Sequence, residues 1–205
     1  GSYDDAFTKE LDTEFKEIAG SNSVCARVFD ADSPPPNKST VDKVQSMAGD
    51  TLEKLRGVLA LDPVTSLLVL SIANSAAYGF PRRVDNLAMA AAVLGAGPLV
   101  AAVRSVPPQD YFSRNGGIDA KGFWRRAAVC AQAAEAIAAT QQAQRNLTSY
   151  TAGLLHAIGR LALDGILPNS YAKLTKGLTG KKLLDTEKRL FRVTHPEVGY
   201  MVARK

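Results

Sequence analysis

Residues that build disulfides and metal centres are scarce in this chain. Its 205 residues include two cysteines, two histidines and one tryptophan. Cys25 and Cys130 are too few for a disulfide framework and neither lies in a Cys-x-x-Cys pair, which favours a reducing, cytoplasmic compartment. His156 and His195 supply too little imidazole for an ordinary zinc or iron centre. We therefore expect no cofactor.

Long hydrophobic runs and export signals are also missing. The longest uncharged apolar stretch, residues 87–103, is rich in alanine and is interrupted by Gly95-Ala96-Gly97-Pro98. This pattern predicts two helices joined by a turn rather than a membrane span. The first residues are acidic and show neither the basic nor the apolar segment of a signal peptide. We expect no membrane partner and a cytoplasmic location.

Strand patterns are nearly absent, whereas helix signals occur along the whole chain. An amphipathic helix is predicted for residues 4–18, and a proline-rich segment at 33–37 separates it from a series of further helices. With 46% hydrophobic residues the chain is long enough to bury a substantial core. The prediction is an all-α, compact multi-helix bundle over residues 38–205, preceded by an acidic N-terminal helix and linker over residues 1–37.

Local sequence patterns place most helix boundaries. Asp62-Pro63 predicts an N-cap followed by proline at the first helical position. Asp50 with Glu53, and Thr194 with Glu197, predict capping boxes. Further helices are predicted to start after Asp85 and after Gly97-Pro98, and to cover residues 122–146, 148–164, 169–176 and 181–191.

Charge is distributed unevenly along the chain. Residues 1–36 carry eight acids and three bases, whereas residues 37–205 carry twelve acids and twenty-two bases. A basic surface of this kind can meet nucleic acid or an acidic protein. No aromatic residues interleave with the C-terminal lysines as base stacking requires, so nucleic-acid binding is the weaker alternative to a solvated basic face.

Glycine-rich motifs do not identify a nucleotide site. Gly95-Ala96-Gly97 lacks the third glycine and the preceding strand of a dinucleotide fingerprint. The span Gly177–Gly180 has basic flanks and loosely resembles a phosphate loop or a KH-type G-x-x-G loop, but no strand leads into it. A turn between two helices is the better interpretation.

One helical segment resembles a known metal site. Residues 153–159 read Gly-Leu-Leu-His-Ala-Ile-Gly and are similar to the G-L-L-H-D-I-G helix of the HD superfamily of metal-dependent phosphohydrolases. In that superfamily a His-Asp pair, an upstream histidine and a downstream aspartate hold a metal that activates water. Ala157 stands where the resemblance places the metal-binding aspartate, and alanine supplies no oxygen.

Further segments narrow the resemblance to the HDOD family. Residues 61–64, 72–79, 91–95, 123–126 and 194–199 are similar, in one order, to its D-P-x-L, A-N-S-A-x-Y, A-x-x-x-L-G, W-x-H/R and T-H-x-E-V-G elements. With residues 153–159, they contain the family-motif positions Asp62, Pro63, Asn74, Ser75, Tyr78, Gly95, Gly153, Gly159, Glu197 and Gly199.

The resemblance implies a binding rather than a cleaving module. HDOD domains are non-catalytic relatives of HD phosphohydrolases in bacterial signal transduction. Arg126 lies where a catalytic relative has its first histidine, and Ala157 at the aspartate, so no catalytic or metal residues are expected. We expect protein partners, a possible small ligand and possible self-association. Candidates for the remaining pocket are Trp124, Arg126, His156 and His195.

The individual residues also admit structural interpretations. Asn74 and Ser75 are expected to satisfy backbone groups at a helix end. Trp124 and Tyr78 are expected to be core aromatics with a hydrogen-bonded polar tip, and His156 to be a satisfied core histidine. His195 is expected to be a neutral imidazole, because the positive end of a helix disfavours a cation.

An enzymatic alternative stays open at this point. A degenerate HD phosphohydrolase would use His156 and His195 with a nearby acid such as Asp164 or Glu187.

Overall fold

The computed structural model describes residues 23–31, 33–112, 117–141, 146–168 and 170–204. Within these ranges the regular structure is helical, which confirms the predicted all-α class, and the one β feature is an isolated bridge between Asn37 and Gln109. The helix predicted for residues 4–18 lies outside the described residues. The helices are α1 (Ser23–Asp30), α2 (Lys38–Ser46), α3 (Leu52–Leu59), α4 (Pro63–Ala73), α5 (Leu87–Leu94), α6 (Ala96–Ser105), α7 (Ala120–Thr140), α8 (Asn146–Leu155), α9 (Ile158–Ile166), α10 (Ser170–Thr175), α11 (Gly180–Phe191) and α12 (His195–Arg204).

Two apolar clusters form most of the core, and α4 connects them. The first cluster draws its buried side chains mainly from α2 to α6, and the second mainly from α1, α4, α9, α10, α11, α12 and the first residues of α7. Val64 and Leu67 of α4 belong to the second cluster, while Val69 and Leu70 belong to the first. A helix that is apolar on all sides is typical of the middle of a bundle. The buried helix α4 therefore packs against the first cluster and the second cluster at once.

The two ends of α4 are held by side-chain hydrogen bonds. The Asp62 carboxylate accepts from the backbone N–H groups of Val64 and Thr65 at 2.9 and 3.2 Å, and Pro63 is the first helical residue, as expected. At the other end the Asn74 amide donates to Leu70 O and Val84 O, both at 2.9 Å, and accepts from Val84 N–H at 2.8 Å. Asn74 thus joins the helix end to the far side of the following loop.

In the loop that follows α4, the prediction for Tyr78 is wrong and Ser75 is exposed. Tyr78 is 36% exposed rather than a core aromatic. The physical reason is the Asn74 bridge, which brings the two ends of the loop together and directs residues 75–83 outward. Ser75 is also exposed there.

Two helix starts differ from the predictions by one residue. The N-caps are Thr51 and Asn86 rather than Asp50 and Asp85. Each is a short polar side chain that accepts from a backbone N–H three residues later, at 3.5 and 2.9 Å. Asp50 instead pairs with Lys54 Nζ at 2.9 Å.

The apolar stretch of residues 87–103 forms two helices, as predicted. None of the described helices is by itself both long and apolar enough to cross a membrane; α5 and α6 meet that criterion only as a pair, and they are bent by 103°. Gly95 lies at the bend with φ 75°, a backbone conformation that favours glycine. α6 begins at Ala96, before Pro98, because a proline in the first turn removes no helical hydrogen bond.

The helix predicted for residues 148–164 is broken. α8 ends at Leu155 and α9 begins at Ile158, so His156 lies in an exposed turn, and its assignment as a core histidine is wrong. Leu154 packs with Ala127 and Ala131 of α7, whereas Ile158 packs in the second cluster. The break redirects the chain between these two packing partners.

Two glycines allow helices to approach closely on either side of this break. A Cβ at Gly153 would lie 2.5 Å from the Cys130 carbonyl oxygen of α7. A Cβ at Gly159 would lie 2.0 Å from the His195 carbonyl oxygen and 2.5 Å from the Gly199 nitrogen of α12. Both contacts involve backbone atoms, which cannot move away as a flexible side chain could. These positions therefore require glycine for steric reasons.

A further helix, α1, was not predicted from the sequence. Val28 is 1% exposed in the second cluster, and the Arg27 guanidinium donates to the Ile166 carbonyl oxygen of α9. The chain just before the proline-rich segment thus packs against the helical domain.

We predict that Gly159→Ala destabilises the protein by at least about 1–3 kcal/mol, because the added Cβ overpacks the α9–α12 contact. Gly165→Ala, in the same helix with no atom within 4 Å of the added Cβ, is the matched control and should be neutral or stabilise by up to about 1 kcal/mol. Urea unfolding followed by circular dichroism measures both. Equal stability of the two variants would refute the close-contact explanation.

Candidate functional site

A cleft of about 780 Å³ lies where the start of α7, the α8–α9 break, the α10–α11 turn and the start of α12 meet. Three of the four sequence candidates line it, namely Arg126, His156 and His195, and Ala157 lies beside them. The other lining residues are Gly117, Ile118, Asp119, Phe123, Arg160, Ala172, Lys173, Thr175, Lys176, Gly177, Leu178, Thr179, Gly180, Leu183, Leu184 and Pro196.

Trp124 is not part of this cleft lining. Its ring packs against Tyr111, Phe112 and Phe123, with centroid distances of 5.2, 5.4 and 5.1 Å. Its indole Nε1 is buried and has no hydrogen-bond partner in the described structure, so the prediction of a bonded polar tip is wrong. The reason is the aromatic neighbourhood, because ring carbons offer no conventional acceptor.

The exposed ring of His156 is oriented by the end of α8. Its Nδ1 lies 2.7 Å from the Gly153 carbonyl oxygen. A carbonyl oxygen can only accept, so Nδ1 carries the proton and donates it. Nε2 is then the ring nitrogen left to face a ligand.

His195 is oriented by a buried carboxylate. Nδ1 of His195 lies 2.8 Å from Glu187 Oε2 and 3.0 Å from Oε1, and the His195 backbone N–H donates to Oε2 at 2.9 Å. Glu187 on α11 is 0% exposed. The sequence-based expectation for this imidazole considered only the helix dipole. It did not include Glu187, whose carboxylate lies against the ring.

The Glu187 carboxylate also accepts a hydrogen bond from a tyrosine. Tyr171 of α10 donates its hydroxyl proton to Glu187 Oε1 at 2.5 Å, and Arg160 Nε of α9 donates to that hydroxyl oxygen at 3.3 Å. The network therefore joins α9, α10, α11 and the start of α12 beneath the cleft.

The network keeps Glu187 ionised and Tyr171 neutral. Burial alone would raise the pKa of Glu187, but hydrogen bonds from His195 and Tyr171 outweigh burial and lower it below 4.5. Burial and the hydrogen bond to Glu187 raise the pKa of Tyr171. The tyrosine therefore remains a proton donor to the carboxylate.

The predicted capping box at α12 is present in altered form. Glu197 Oε2 accepts from the Thr194 backbone N–H at 2.6 Å, but the Thr194 hydroxyl donates to the same oxygen at 2.9 Å. Lys188 Nζ lies 2.9 Å from Glu197 Oε1. The box thus fixes the start of α12, where His195 enters the cleft.

Charged residues that sequence analysis did not single out also line the cleft. Arg160, Lys173 and Lys176 lie with Arg126 around it, and Asp119 is the one carboxylate among the lining residues. The lysines near the Gly177–Gly180 span were visible in the sequence, but only the fold places Lys173 and Lys176 on the lining of the same cleft as Arg126. Asp164 is buried on α9 and is not among the lining residues.

The donor set does not suit a divalent metal. Among the described residues no three His, Cys, Asp or Glu side chains come close enough to hold one. Arg126 places a guanidinium beside the two imidazoles, and Ala157 provides only a methyl group. Catalytic zinc sites use three protein ligands, and hard divalent cations need several oxygens.

Comparisons with known proteins agree with this architecture. A family model described as HDOD domain matches residues 33–205. Two crystal structures of the MmoQ response regulator from Methylococcus capsulatus str. Bath superimpose with TM-scores of 0.70 and 0.67 at 24% and 26% identity, covering 85% of this chain and 71% and 69% of theirs. A virulence factor from Campylobacter jejuni subsp. jejuni superimposes with a TM-score of 0.61 at 20% identity, covering 93% of this chain and 69% of that one. No curated protein of similar sequence was found.

We predict that Glu187→Gln lowers the free energy of unfolding at pH 7 by about 1–3 kcal/mol, because the amide has only one acceptor oxygen and cannot accept from both Tyr171 and His195 as the carboxylate does. The folded-state pKa of Glu187 is depressed, so its contribution is fully present above pH 4.5 and is lost as pH falls through the folded-state value. The difference between wild type and variant should therefore shrink as the pH falls below 4.5.

Urea unfolding at a series of pH values measures this difference. Glu53→Gln, whose side chain is 85% exposed, is the control and should change stability little at any pH. A gap for Glu187→Gln that stays constant down to pH 3 would contradict the assignment of an ionised carboxylate.

Proposed function

Since the chain belongs to the HDOD domain family, we propose that it is a non-catalytic module of bacterial signal transduction. It acts through protein–protein contacts or by receiving a small ligand in the cleft between α7, α9, α11 and α12. The HDOD family is regarded as non-catalytic. Membership of this family, together with structural neighbours that include a response regulator, indicates a regulatory or signalling module. The relative of known structure from Methylococcus is described as a response regulator, which supports a signalling role by analogy.

The proposal rests on the residues that line the cleft. His156 and His195 line it with their Nδ1 atoms held by protein acceptors, as in a site built to present Nε2. Two of the positions that the resemblance assigns to metal ligands hold Arg126 and Ala157. A guanidinium repels a metal ion and a methyl group cannot coordinate one. The cleft is therefore shaped for recognition, and no reaction step follows from it.

Hydrogen bonds between the helices that line the cleft give a physical route for a signal. Its lining comes from α7, α9, α10, α11 and α12, and the Glu187 network links four of these helices directly beneath it. A ligand that bound between them would favour one arrangement of these helices over others by its differential affinity. Partner proteins that contact the same helices would sense that change.

One observation favours the enzymatic alternative as a second candidate. His156 and His195 line the same cleft, and Glu187, one of the acids considered from the sequence, contacts His195. Glu187 is fully buried with both oxygens occupied by protein donors, so it orients the imidazole. Asp164 does not line the cleft. A degenerate phosphohydrolase would thus have two imidazoles and Asp119, which caps α7, and among the described residues these three do not come together as a ligand group.

We predict that the purified chain, supplied with Mn²⁺ or Mg²⁺, does not hydrolyse bis-p-nitrophenyl phosphate or a cyclic dinucleotide above the buffer rate. His156→Ala should be indistinguishable from wild type, because no metal-activated water depends on it. Release of p-nitrophenol and chromatography of the dinucleotide are the measurements. Metal-dependent turnover that His156→Ala abolishes would establish the phosphohydrolase instead.

A further inference from the structure

The charge of the cleft indicates which ligand it can hold. Arg126, Arg160, Lys173 and Lys176 line it, against one lining carboxylate, Asp119. Asp119 Oδ1 accepts from the Gly122 backbone N–H at 3.0 Å and so serves as the N-cap of α7. Its charge is therefore partly satisfied by the helix it caps.

Among the described residues, most of the cationic groups of the cleft form no ion pair. Across the described ranges, Arg126, Lys173 and Lys176 have no ion-pair partner within 4.0 Å. Arg160 uses only Nε, toward Tyr171, which leaves its two terminal nitrogens. Glu187 lies behind His195, and its oxygens are occupied by Tyr171 and His195. Asp119 is therefore the one lining carboxylate that can balance these four cations.

The α10–α11 turn adds backbone donors on the same side. Gly177, Leu178, Thr179 and Gly180 line the cleft, and α11, a helix of 12 residues, begins there. Its N-cap Thr179 makes no side-chain capping bond, so no side chain of its own satisfies the first backbone N–H groups. These donors face the same space as Lys173 and Lys176 and add to their attraction for an anion.

An apolar wall completes the cleft. Ile118, Phe123, Leu178, Leu183 and Leu184 line it together with the charged groups. A volume near 780 Å³ suits a small molecule and is too small to enclose a folded partner. The ligand should thus carry both multiple negative charge and an apolar part.

We propose that this cleft binds a small phosphate-bearing molecule. Its phosphate oxygens lie between Arg126 and Arg160 on one side and Lys173, Lys176 and the Gly177–Gly180 turn on the other, and its apolar part lies against Phe123 and Leu183. Phosphate fits better than a single carboxylate because four cations require more than one negative charge, and guanidinium groups bind phosphate oxygens bidentately as well. The inference rests on the proposed function, since it takes the cleft as the site that receives a ligand.

Inorganic pyrophosphate, titrated calorimetrically into the full chain at low ionic strength, tests the charged part of the site. We expect saturable binding with one site per chain. The double variant Lys173→Gln/Lys176→Gln should weaken it about tenfold or more, because each charge-assisted bond contributes measurably to binding.

The variant Lys181→Gln/Lys182→Gln is the matched control. It removes the same charge from exposed lysines of the adjacent helix turn that do not line the cleft, and it should change affinity by less than about threefold. Equal loss in both double variants would overturn the proposal in favour of a diffuse basic surface, as nucleic-acid binding would require. Circular dichroism verifies that each variant is folded.

The outcomes separate this inference from the proposed function. A folded chain that neither binds nor cleaves pyrophosphate overturns the phosphate site and leaves the non-catalytic assignment intact. Release of orthophosphate from pyrophosphate overturns the non-catalytic assignment while showing that the cleft does admit phosphate. Binding without cleavage that depends on Lys173 and Lys176 supports both.

Discussion

The geometry of the candidate site depends on one buried carboxylate. Glu187 has no solvent exposure, yet it remains ionised because Tyr171, the His195 backbone and the His195 ring all direct hydrogen bonds at it. A buried charge of this kind is tolerable only when its partners are fixed. The same bonds that stabilise Glu187 therefore fix the relative positions of α10, α11 and α12, and with them the floor of the cleft.

Close backbone packing complements this polar network. Gly159 lets α9 approach the start of α12 within the space a side chain would occupy, and Gly153 does the same for α8 against α7. His156 lies between the two contacts, in the turn that separates α8 from α9. The exposed imidazole is thus held on a rigid part of the fold although it lies on the surface.

Local sequence patterns predicted the features that local chemistry decides. Asp62-Pro63 identified the start of α4 because both residues act within one helical turn. The break at His156 was missed because Leu-Leu-His-Ala-Ile is compatible with a continuous helix, and packing against α7 and α12 interrupts it. The Glu187–His195 pair and the presence of Lys173 and Arg126 on one cleft also depend on tertiary contacts. Three residues that the HDOD resemblance indicated, Arg126, His156 and His195, line one cleft in the structure, but the resemblance gave no indication of the cleft's charge.

We infer that the two imidazoles of this cleft do not hold a divalent metal ion. Electron paramagnetic resonance of Mn²⁺ added to tag-free protein measures this, because only free aqueous Mn²⁺ gives the strong six-line signal. One equivalent of protein should leave this signal undiminished. A stoichiometric loss of the signal that is reversed in His156→Ala would show that the cleft binds the metal.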